Sequence, residues 1–384
     1  MKSPHTILVL GAGRIGKTIA FLTQKLIFEA YATVPSVVIA DTSEHAMNDP
    51  LLDTIEKHVM GKSELLYDLA DKYKPDLIVN ALPHGMNAMA QDTAIRNGIS
   101  YLDLTEDVND TARLTSRAKH EGKPGMVLMP QQGLAPGIIN IIGSWLVKQH
   151  EARMKEHFPF MRELRLRVGA LPQVGYGKLG YATTWSVDGL VNEYMNDAIE
   201  VVDRKTEKFP GLSGYEKLRI KGVELEAFRT SGGSGILPMI LQNKVPNINY
   251  KTLRWPGHHE SMMLLLEDFN IKDRELLKQI FRKVPGRTID CVYLLASLEV
   301  EHRSGINETY ELGRRFTGLT VDTHRFDAIQ ATTALGAIGM IELFWANTFR
   351  DGVVLPTDVD WPTFERTQAG KLLNVATDVY LNGL

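Results

Sequence analysis

The sequence predicts an α/β protein in two parts: a doubly wound parallel sheet, and a second α+β domain whose sheet is mostly antiparallel. Three observations carry this. Over about the first 130 residues, short apolar runs alternate with helical stretches of roughly 10–15 residues, the pattern of a parallel sheet with helices on both faces. After Met129 the strand-like runs alternate apolar with charged residues, which marks one wet or covered face and antiparallel pairing. A glycine turn joins the first strand to the first helix without a spare residue.

That turn reads Gly11-Ala12-Gly13-Arg14-Ile15-Gly16, after the strand Thr6–Leu10 and before a helical pattern from Lys17. Gly11 permits the tight turn, Gly13 lets a pyrophosphate approach the backbone, and Gly16 lets helix and strand pack closely. The helix N-terminus offers unpaired N–H groups and partial positive charge to phosphates. A second strand, Ser36–Ala40, ends at Asp41, about 25 residues past Gly16 and near the distance of a ribose-binding carboxylate. An anion there accepts a 2′-hydroxyl and repels a 2′-phosphate, so the expected cofactor is NAD. A Rossmann-type unit follows, with Gly11, Gly13, Arg14, Ile15, Gly16, Asp41 and Thr42 at the cofactor.

The remaining elements follow in order. Ser63 is placed to cap a helix through Tyr73, and Pro75 introduces the strand Asp76–Asn80. Met86–Arg96 is helical and stops at Asn97-Gly98, then Ser100–Leu104 is a strand. Asp107–His120 is helical and Gly125–Met129 is the next strand. Pro136 suits the start of a helix running to His150, and Glu151–Phe160 loses its period and reads as a connection. Alternation in Leu164, Leu166 and Val168, in Val223–Phe228 and in Thr288–Leu295 marks the second sheet. Arg325–Phe349 reads as a long apolar helix and Pro362–Leu381 as a terminal one, both returning to cover the first domain. The expected domains are therefore 1–130 with 326–384, binding NAD, and 131–325, binding substrate and mediating oligomer contacts.

Composition limits the function. A length of 384 residues suits two domains. A net charge of −3 carries no nucleic-acid footprint. The single cysteine, Cys291, excludes an internal disulfide and fits a reducing, cytoplasmic setting, where a buried inert thiol is expected. The N-terminus reads as a first strand and not a signal peptide, and no apolar run reaches the ~18 residues of a membrane span. The alternating strands need cover, so a homo-oligomer, a dimer or larger, is expected.

In open parallel sheets the ligand lies beyond the carboxyl ends of the strands. After the third strand read here comes Asn80-Ala81-Leu82-Pro83-His84-Gly85, so backbone atoms of Asn80, Ala81 and Leu82 border the cofactor. His84 either takes a proton from a substrate ammonium or bonds the backbone as a turn residue. After the fourth strand, Asp103 and Glu106 are candidates for the substrate amine, while Asp107 caps the next helix. Leu134, Pro136 and Gly137 open the following helix toward the ligand. In the second domain, Ser231–Gly235 either lies against substrate or is a plain loop. Arg254 either grips a substrate carboxylate bidentately or forms a surface ion pair. Trp255 walls the pocket or fills the core, and His258 lies beside it. Adjacent histidines point apart, and no other ligands stand at metal-site spacing, so no metal is expected.

Six stretches together resemble the saccharopine dehydrogenase-like family, most of all its lysine 6-dehydrogenase branch. They are Gly11–Gly16, Gly133–Gly137, Val168–Gln173, Trp185–Tyr194, Leu225–Gly233 and Lys251–His258. The resemblance implies a Rossmann domain completed by C-terminal helices, a mixed domain lining the active site, and NAD(P)-dependent oxidation of a carbon bearing an amine. In the lysine branch that carbon is the ε-carbon of L-lysine; in saccharopine dehydrogenases it belongs to a secondary amine joining lysine to a dicarboxylate skeleton. The chain has Pro83-His84 where the family usually carries an aromatic residue, and Gln131-Gln132 where many lysine-branch members carry Asp-Cys. Both loops border the substrate, so lysine, saccharopine and a non-catalytic nicotinamide-binding role all stay open. The proposed division of labour is His84 and Asp103 for protons and Arg254 for carboxylate, with Glu106, Leu134, Pro136, Gly137, Trp255 and His258 around the substrate.

Overall fold

A computed structural model describes residues 6–382, apart from 33, 62, 63, 158, 159, 176, 285, 287, 288, 303 and 376. The helix cap expected at Ser63 and the strand start expected at Thr288 lie outside the described residues. The chain divides into two compact units, Met1–Ile141 with Gln330–Val375, and Ile142–Ile329 with Ala376–Leu384.

The first unit is built on a seven-stranded parallel sheet. Its strands are β1 (Thr6–Leu10), β2 (Ser36–Asp41), β3 (Glu56–Val59), β4 (Leu77–Asn80), β5 (Ser100–Asp103), β6 (Val127–Met129) and a late segment, Gly352–Val353. The order is Gly352–Val353, β6, β5, β4, β1, β2, β3. The order reverses at β1, which places a crevice at the carboxyl ends of β1 and β4. Ile7, Leu8, Val9 and Leu10 are all buried, as a strand covered on both faces requires. Leu8, Val38, Ile78, Tyr101 and Leu128 form the spine of one apolar cluster, and Leu69, Ala94 and Leu114 reach it from helices. Two strands have no counterpart in the sequence reading. β3 reads Glu-Lys-His-Val, an exposed charged edge strand without apolar period. Gly352–Val353 is too short to carry one.

The helix Ala328–Trp345 is long and apolar enough, by length and composition, to cross a membrane, which corrects the expectation that no such run exists. It is 78% buried inside the protein, as a core helix is. Gly336 makes a close approach there: a Cβ would stand 2.3 Å from the Gly133 carbonyl oxygen. Near its end, Glu342 accepts the N–H groups of Gln368 at 2.6 Å and Ala369 at 2.7 Å, satisfying the start of the helix Gln368–Val375. Burial pushes this carboxyl up to about 7.

The second unit carries a nine-stranded sheet. Its strands are β7 (Phe160–Pro172), β8 (Ala198–Val202), β9 (Lys205–Phe209), β10 (Glu216–Ile220), β11 (Val223–Arg229), β12 (Asn247–Arg254), β13 (Asp290–Glu301), β14 (Asn307–Phe316) and the segment Thr377–Asn382. The main order is β10, β11, β12, β7, β13, β14, Thr377–Asn382, with β8 on β12 and β9 on β8. Every pairing is antiparallel except β12 with β7. Leu164, Leu166 and Val168 of β7 are buried. Gly143 lies against Leu164 and Leu166 of that face. On the other face Arg165 pairs with Glu163 and Glu299, and Arg167 pairs with Glu216.

Two segment readings need correction. The helix that starts at Ile138 runs on to His157, through the stretch expected to be a connection. The expected terminal helix is instead two short helices, Trp361–Glu365 and Gln368–Val375, followed by the strand Thr377–Asn382, which pairs with β14. Pro362 starts the first of these and cannot continue a ladder of helical N–H donors.

Replacing Glu342 with Ala leaves the Gln368 and Ala369 N–H groups without an acceptor. Urea denaturation of the variant at pH 6 is expected to show a loss of ~1–3 kcal/mol. An unchanged midpoint and slope would show that the cap contributes nothing.

Candidate functional site

At the carboxyl edge of the first unit the glycine turn has the shape its sequence implies. Gly11 has φ +98°, and a Cβ there would meet the Ala81 carbonyl oxygen at 2.8 Å. A Cβ on Gly16 would stand 1.9 Å from the Gly11 carbonyl oxygen, so only hydrogen fits. Gly13 is exposed, and a Cβ there would have nothing within 4 Å. Gly11 and Gly16 are thus required by packing, while Gly13 leaves open space above the start of the helix Arg14–Tyr31. Asp41 at the end of β2 accepts the Ala12 N–H at 2.6 Å and the Ser43 N–H at 2.8 Å. Its carboxylate is thereby held against the turn. Arg14 and Thr42 are exposed and Ile15 is half-buried. Turn, acid and helix start form a cradle fit for a dinucleotide.

The β4 end continues this edge. Ala81 and Leu82 are half-buried, and Ala81 donates its N–H to Leu10 at 2.9 Å. Asn80 is buried; its amide bonds Asn87 at 2.9 Å, Tyr101 at 3.0 Å and the Leu82 N–H at 3.2 Å. The His84 side chain is 61% exposed and stands between two carboxylates. Nε2 is 3.5 Å from Asp107 Oδ2, and Nδ1 is 3.4 Å from Asp110 Oδ2. These three groups lie within 4.8 Å of one another. Each acid has a structural duty: Asp107 caps the helix Val108–Glu121 through the Asn109 and Asp110 N–H groups, and Asp110 pairs with Arg113 at 2.9 Å. Glu106 is half-buried beside them.

Other expected residues lie elsewhere. Asp103 is 1% exposed, and its Oδ1 accepts the Thr105 and Gln131 N–H groups at 3.1 and 3.0 Å. Burial raises its carboxyl pKa. Asp103 therefore ties two loops together inside the unit. Leu134, Pro136 and Gly137 are buried too, and Gly137, at φ +133°, stands where a Cβ would overlap Gly133. They form a packed turn.

In the second unit Arg254 is 2% exposed. Nε donates to Tyr194 Oη at 3.0 Å, and one terminal nitrogen donates to Thr252 Oγ1 and the Leu253 carbonyl, both at 2.9 Å. The other approaches Glu193 at 3.5 Å, and Tyr181 and Tyr194 flank the guanidinium. Neither a surface ion pair nor an open carboxylate grip describes this residue; it is an internal anchor. His258 is fully buried, stacked on Phe228. Burial, then the Arg254 charge, pull its imidazole down to about 3, so it is neutral. Arg254 donates to Tyr194, so the tyrosine hydroxyl, 2.9 Å from His258 Nε2, donates onward. His258 Nδ1–H then donates to the Leu179 carbonyl at 2.8 Å. His258, expected beside the substrate, is thus held on both ring nitrogens within the core of the second unit. Trp255, half-buried, donates Nε1–H to the Pro172 carbonyl at 2.8 Å. Ser231–Gly235 packs tightly, with Gly233 against Tyr250. Burial pushes the Cys291 thiol up to about 11, which keeps it inert.

A family model described as the saccharopine dehydrogenase C-terminal domain matches residues 133–369, more than half of the chain. The chain belongs to the saccharopine dehydrogenase family. Two solved structures share the fold of this family member over nearly the whole length. An apo saccharopine dehydrogenase (L-Glu forming) from Saccharomyces cerevisiae has TM-score 0.73 and 16% identity, covering 98% of this chain and 99% of that one. A homospermidine synthase from Legionella pneumophila, in complex with NAD, has TM-score 0.70 and 13% identity, covering 99% and 92%. The architecture is that of a saccharopine dehydrogenase-like oxidoreductase, a Rossmann-like parallel sheet with a second mixed-sheet unit.

The sequence reading missed Asn87, Asp110, Glu193 and Tyr194. One signal was available: Asp107 and Asp110 are three apart across a helix start, so both point from one face. Nothing local marks Glu193 as the partner of Arg254. Burial pushes the Glu193 carboxyl up to about 7, against the opposing pull of Arg254. Its folded pKa lies above the unfolded one, so its stabilising contribution is full below the usual carboxylate range and is lost as pH rises through about 7. Glu193→Gln removes that loss. Urea denaturation at pH 5 and pH 8 is expected to show the variant gaining at least ~1 kcal/mol on wild type between the two. An equal difference at both pH values would overturn this. Glu342 titrates in both proteins and cancels.

Proposed function

We propose that this protein is an NAD-dependent dehydrogenase that oxidises an amine-bearing carbon of an amino acid, with the side-chain amine of L-lysine as first substrate. The observation that carries the reading is one sheet edge. The glycine cradle with open space at Gly13, the carboxylate of Asp41 and the exposed imidazole of His84 all stand at the carboxyl ends of neighbouring strands β1, β2 and β4. Family membership supports the C–N chemistry. The Legionella enzyme of the same fold holds NAD, which supports the cofactor.

The helix start and the N–H groups around Gly13 would hold the pyrophosphate, and Asp41 would accept from the ribose hydroxyls. When bound, the nicotinamide supplies the hydride acceptor, and the oxidised carbon is left as an imine that water hydrolyses. His84 takes the proton that an ammonium must lose before its carbon can give up a hydride. Asp107 and Asp110 stabilise the imidazolium formed. Arg254 holds the second unit together, so Arg254→Ala lowers stability and does not act through substrate KM alone. A second reading keeps these roles with saccharopine as substrate, and the family to which the chain belongs favours it.

The deciding experiment follows NADH absorbance with L-lysine or saccharopine, each with NAD and with NADP. Turnover of lysine with ammonia release supports the first reading, and turnover of saccharopine alone supports the second. Binding of NADH with no turnover of either overturns both and favours a non-catalytic role. For the cradle, Gly13→Ala is expected to keep the melting temperature and weaken NAD binding at least tenfold, whereas Gly16→Ala prevents folding. Asp41→Ser is expected to weaken NAD and relax discrimination against NADP. If Gly13→Ala and Asp41→Ser both bind NAD as wild type does, the cradle is not the cofactor site.

A further inference from the structure

A chain of hydrogen bonds runs from the backbone just past β4 to the His84 ring, and each link fixes the direction of the next. The Leu82 N–H donates to Asn80 Oδ1 at 3.2 Å, so the other arm of that amide is Nδ2. Its two hydrogens go to Tyr101 Oη at 3.0 Å and Asn87 Oδ1 at 2.9 Å. Asn87 is thereby oriented, and its own Nδ2 donates to Thr105 Oγ1 at 3.0 Å and Asp110 Oδ2 at 2.9 Å. An amide nitrogen carries two hydrogens, and both are used. The 3.5 Å approach of Asn87 Nδ2 to His84 Nδ1 therefore has no hydrogen left for it.

Among the described residues His84 Nδ1 thus faces one partner of consequence, the Asp110 carboxylate at 3.4 Å, which accepts and cannot donate when ionised. A lone pair on Nδ1 would meet that anion and a spent amide. A proton on Nδ1 meets an acceptor. Nε2 faces Asp107, whose side chain is 29% exposed against 11% for Asp110, so water reaches the acid on that side more readily. Each ring nitrogen faces a carboxylate, but the acid at Nδ1 is the more enclosed, so leaving Nδ1 bare costs more, and that asymmetry favours the Nδ1–H tautomer. Asp110 is well placed to impose it: its side chain is 11% exposed, against 29% for Asp107, and Arg113 fixes its other oxygen at 2.9 Å.

We propose that Asp110 is a positioning residue that holds neutral His84 as the Nδ1–H tautomer and leaves Nε2 to accept a proton from the substrate amine. The charged groups facing the ring are Asp110 on the Nδ1 side, with Arg113 behind it, and Asp107 on the Nε2 side. From the helix Asn87–Asn97, among the described residues, comes the uncharged Asn87. The catalytic half of this proposal rests on His84 being the base; the tautomer does not.

The test is nitrogen NMR on the full-length protein labelled with [15N]histidine, with the His84 signals assigned by their loss in His84→Gln. Long-range 1H–15N correlations separate protonated from bare ring nitrogens. At pH 8 the expected result is a protonated Nδ1 and a bare Nε2. In Asp110→Asn the proton is expected to move to Nε2, the form imidazole prefers in water. A wild-type His84 protonated at Nε2 overturns the proposal, whether or not any amine is turned over, and this holds even if Asp110→Asn does not fold. With a substrate in hand, Asp110→Asn is expected to lower kcat/KM roughly 100-fold. It should also shift the acid limb of the pH profile to lower pH, with NAD affinity unchanged. An acid limb that disappears in His84→Gln but stays in place in Asp110→Asn overturns the positioning role and keeps His84 as base. A profile untouched by His84→Gln overturns the base assignment instead.

Discussion

The first unit depends on a contact that admits no side chain. Gly16 sits so near the Gly11 carbonyl that a Cβ would stand 1.9 Å away. This closeness lets the helix Arg14–Tyr31 begin at the very end of β1. It also turns the chain so that Ala12 offers its N–H to Asp41 and Gly11 offers its own to Ala40, at 2.6 and 2.8 Å. A helix displaced outward by one methyl group would break both bonds and widen the crevice in which a phosphate meets the helix N-terminus. Burial of Ile19, Leu22, Leu26 and Ile27 on the same helix then holds the turn in place.

The neighbouring strand end uses the same residues twice. Ala81 presses on Gly11 from below, while its neighbours Asn80 and Leu82 start the hydrogen-bond relay that ends at His84. Cradle and imidazole are thus registered through one three-residue segment. In the second unit the corresponding economy is aromatic. Arg254, Tyr194 and His258 satisfy one another in a buried cluster, each with a determined donor, and Tyr181, Phe228 and Phe281 pack around them. A buried cation is tolerable there because hydrogen bonds and ring faces replace the lost water.

Much of this was legible in the sequence, for identifiable reasons. β1, β2, β4, β5 and β6 are buried on both faces and so appear as apolar runs between turn signals. The glycine turn is legible because its three glycines answer to different constraints at fixed spacing. β3 was not, because an exposed edge strand has no reason to be apolar. The strand Thr377–Asn382 was read as helix because its identity comes from a partner, β14, more than 60 residues away. Residue type showed that Arg254, Asp103 and His258 were unusual but not that they are enclosed; enclosure is a property of the packed chain. The role of Asn87 was invisible for a related reason, since which of its amide atoms faces His84 is decided seven residues earlier by Asn80.

The order of segments along the chain bears on how such a molecule emerges from the ribosome. Val127 and Leu128 of β6 wait for Gly352 and Val353 to cover their open side, and the strand Asn307–Phe316 waits for Thr377–Asn382. Synthesis at roughly 5–20 residues per second leaves the first of these edges bare for ten seconds or more. In that interval β6 presents unpaired backbone groups beside the apolar residues Met126–Met129, a template for pairing with another nascent chain. The first sheet thus keeps an open edge through much of synthesis, and the late segment that relieves it is two residues long.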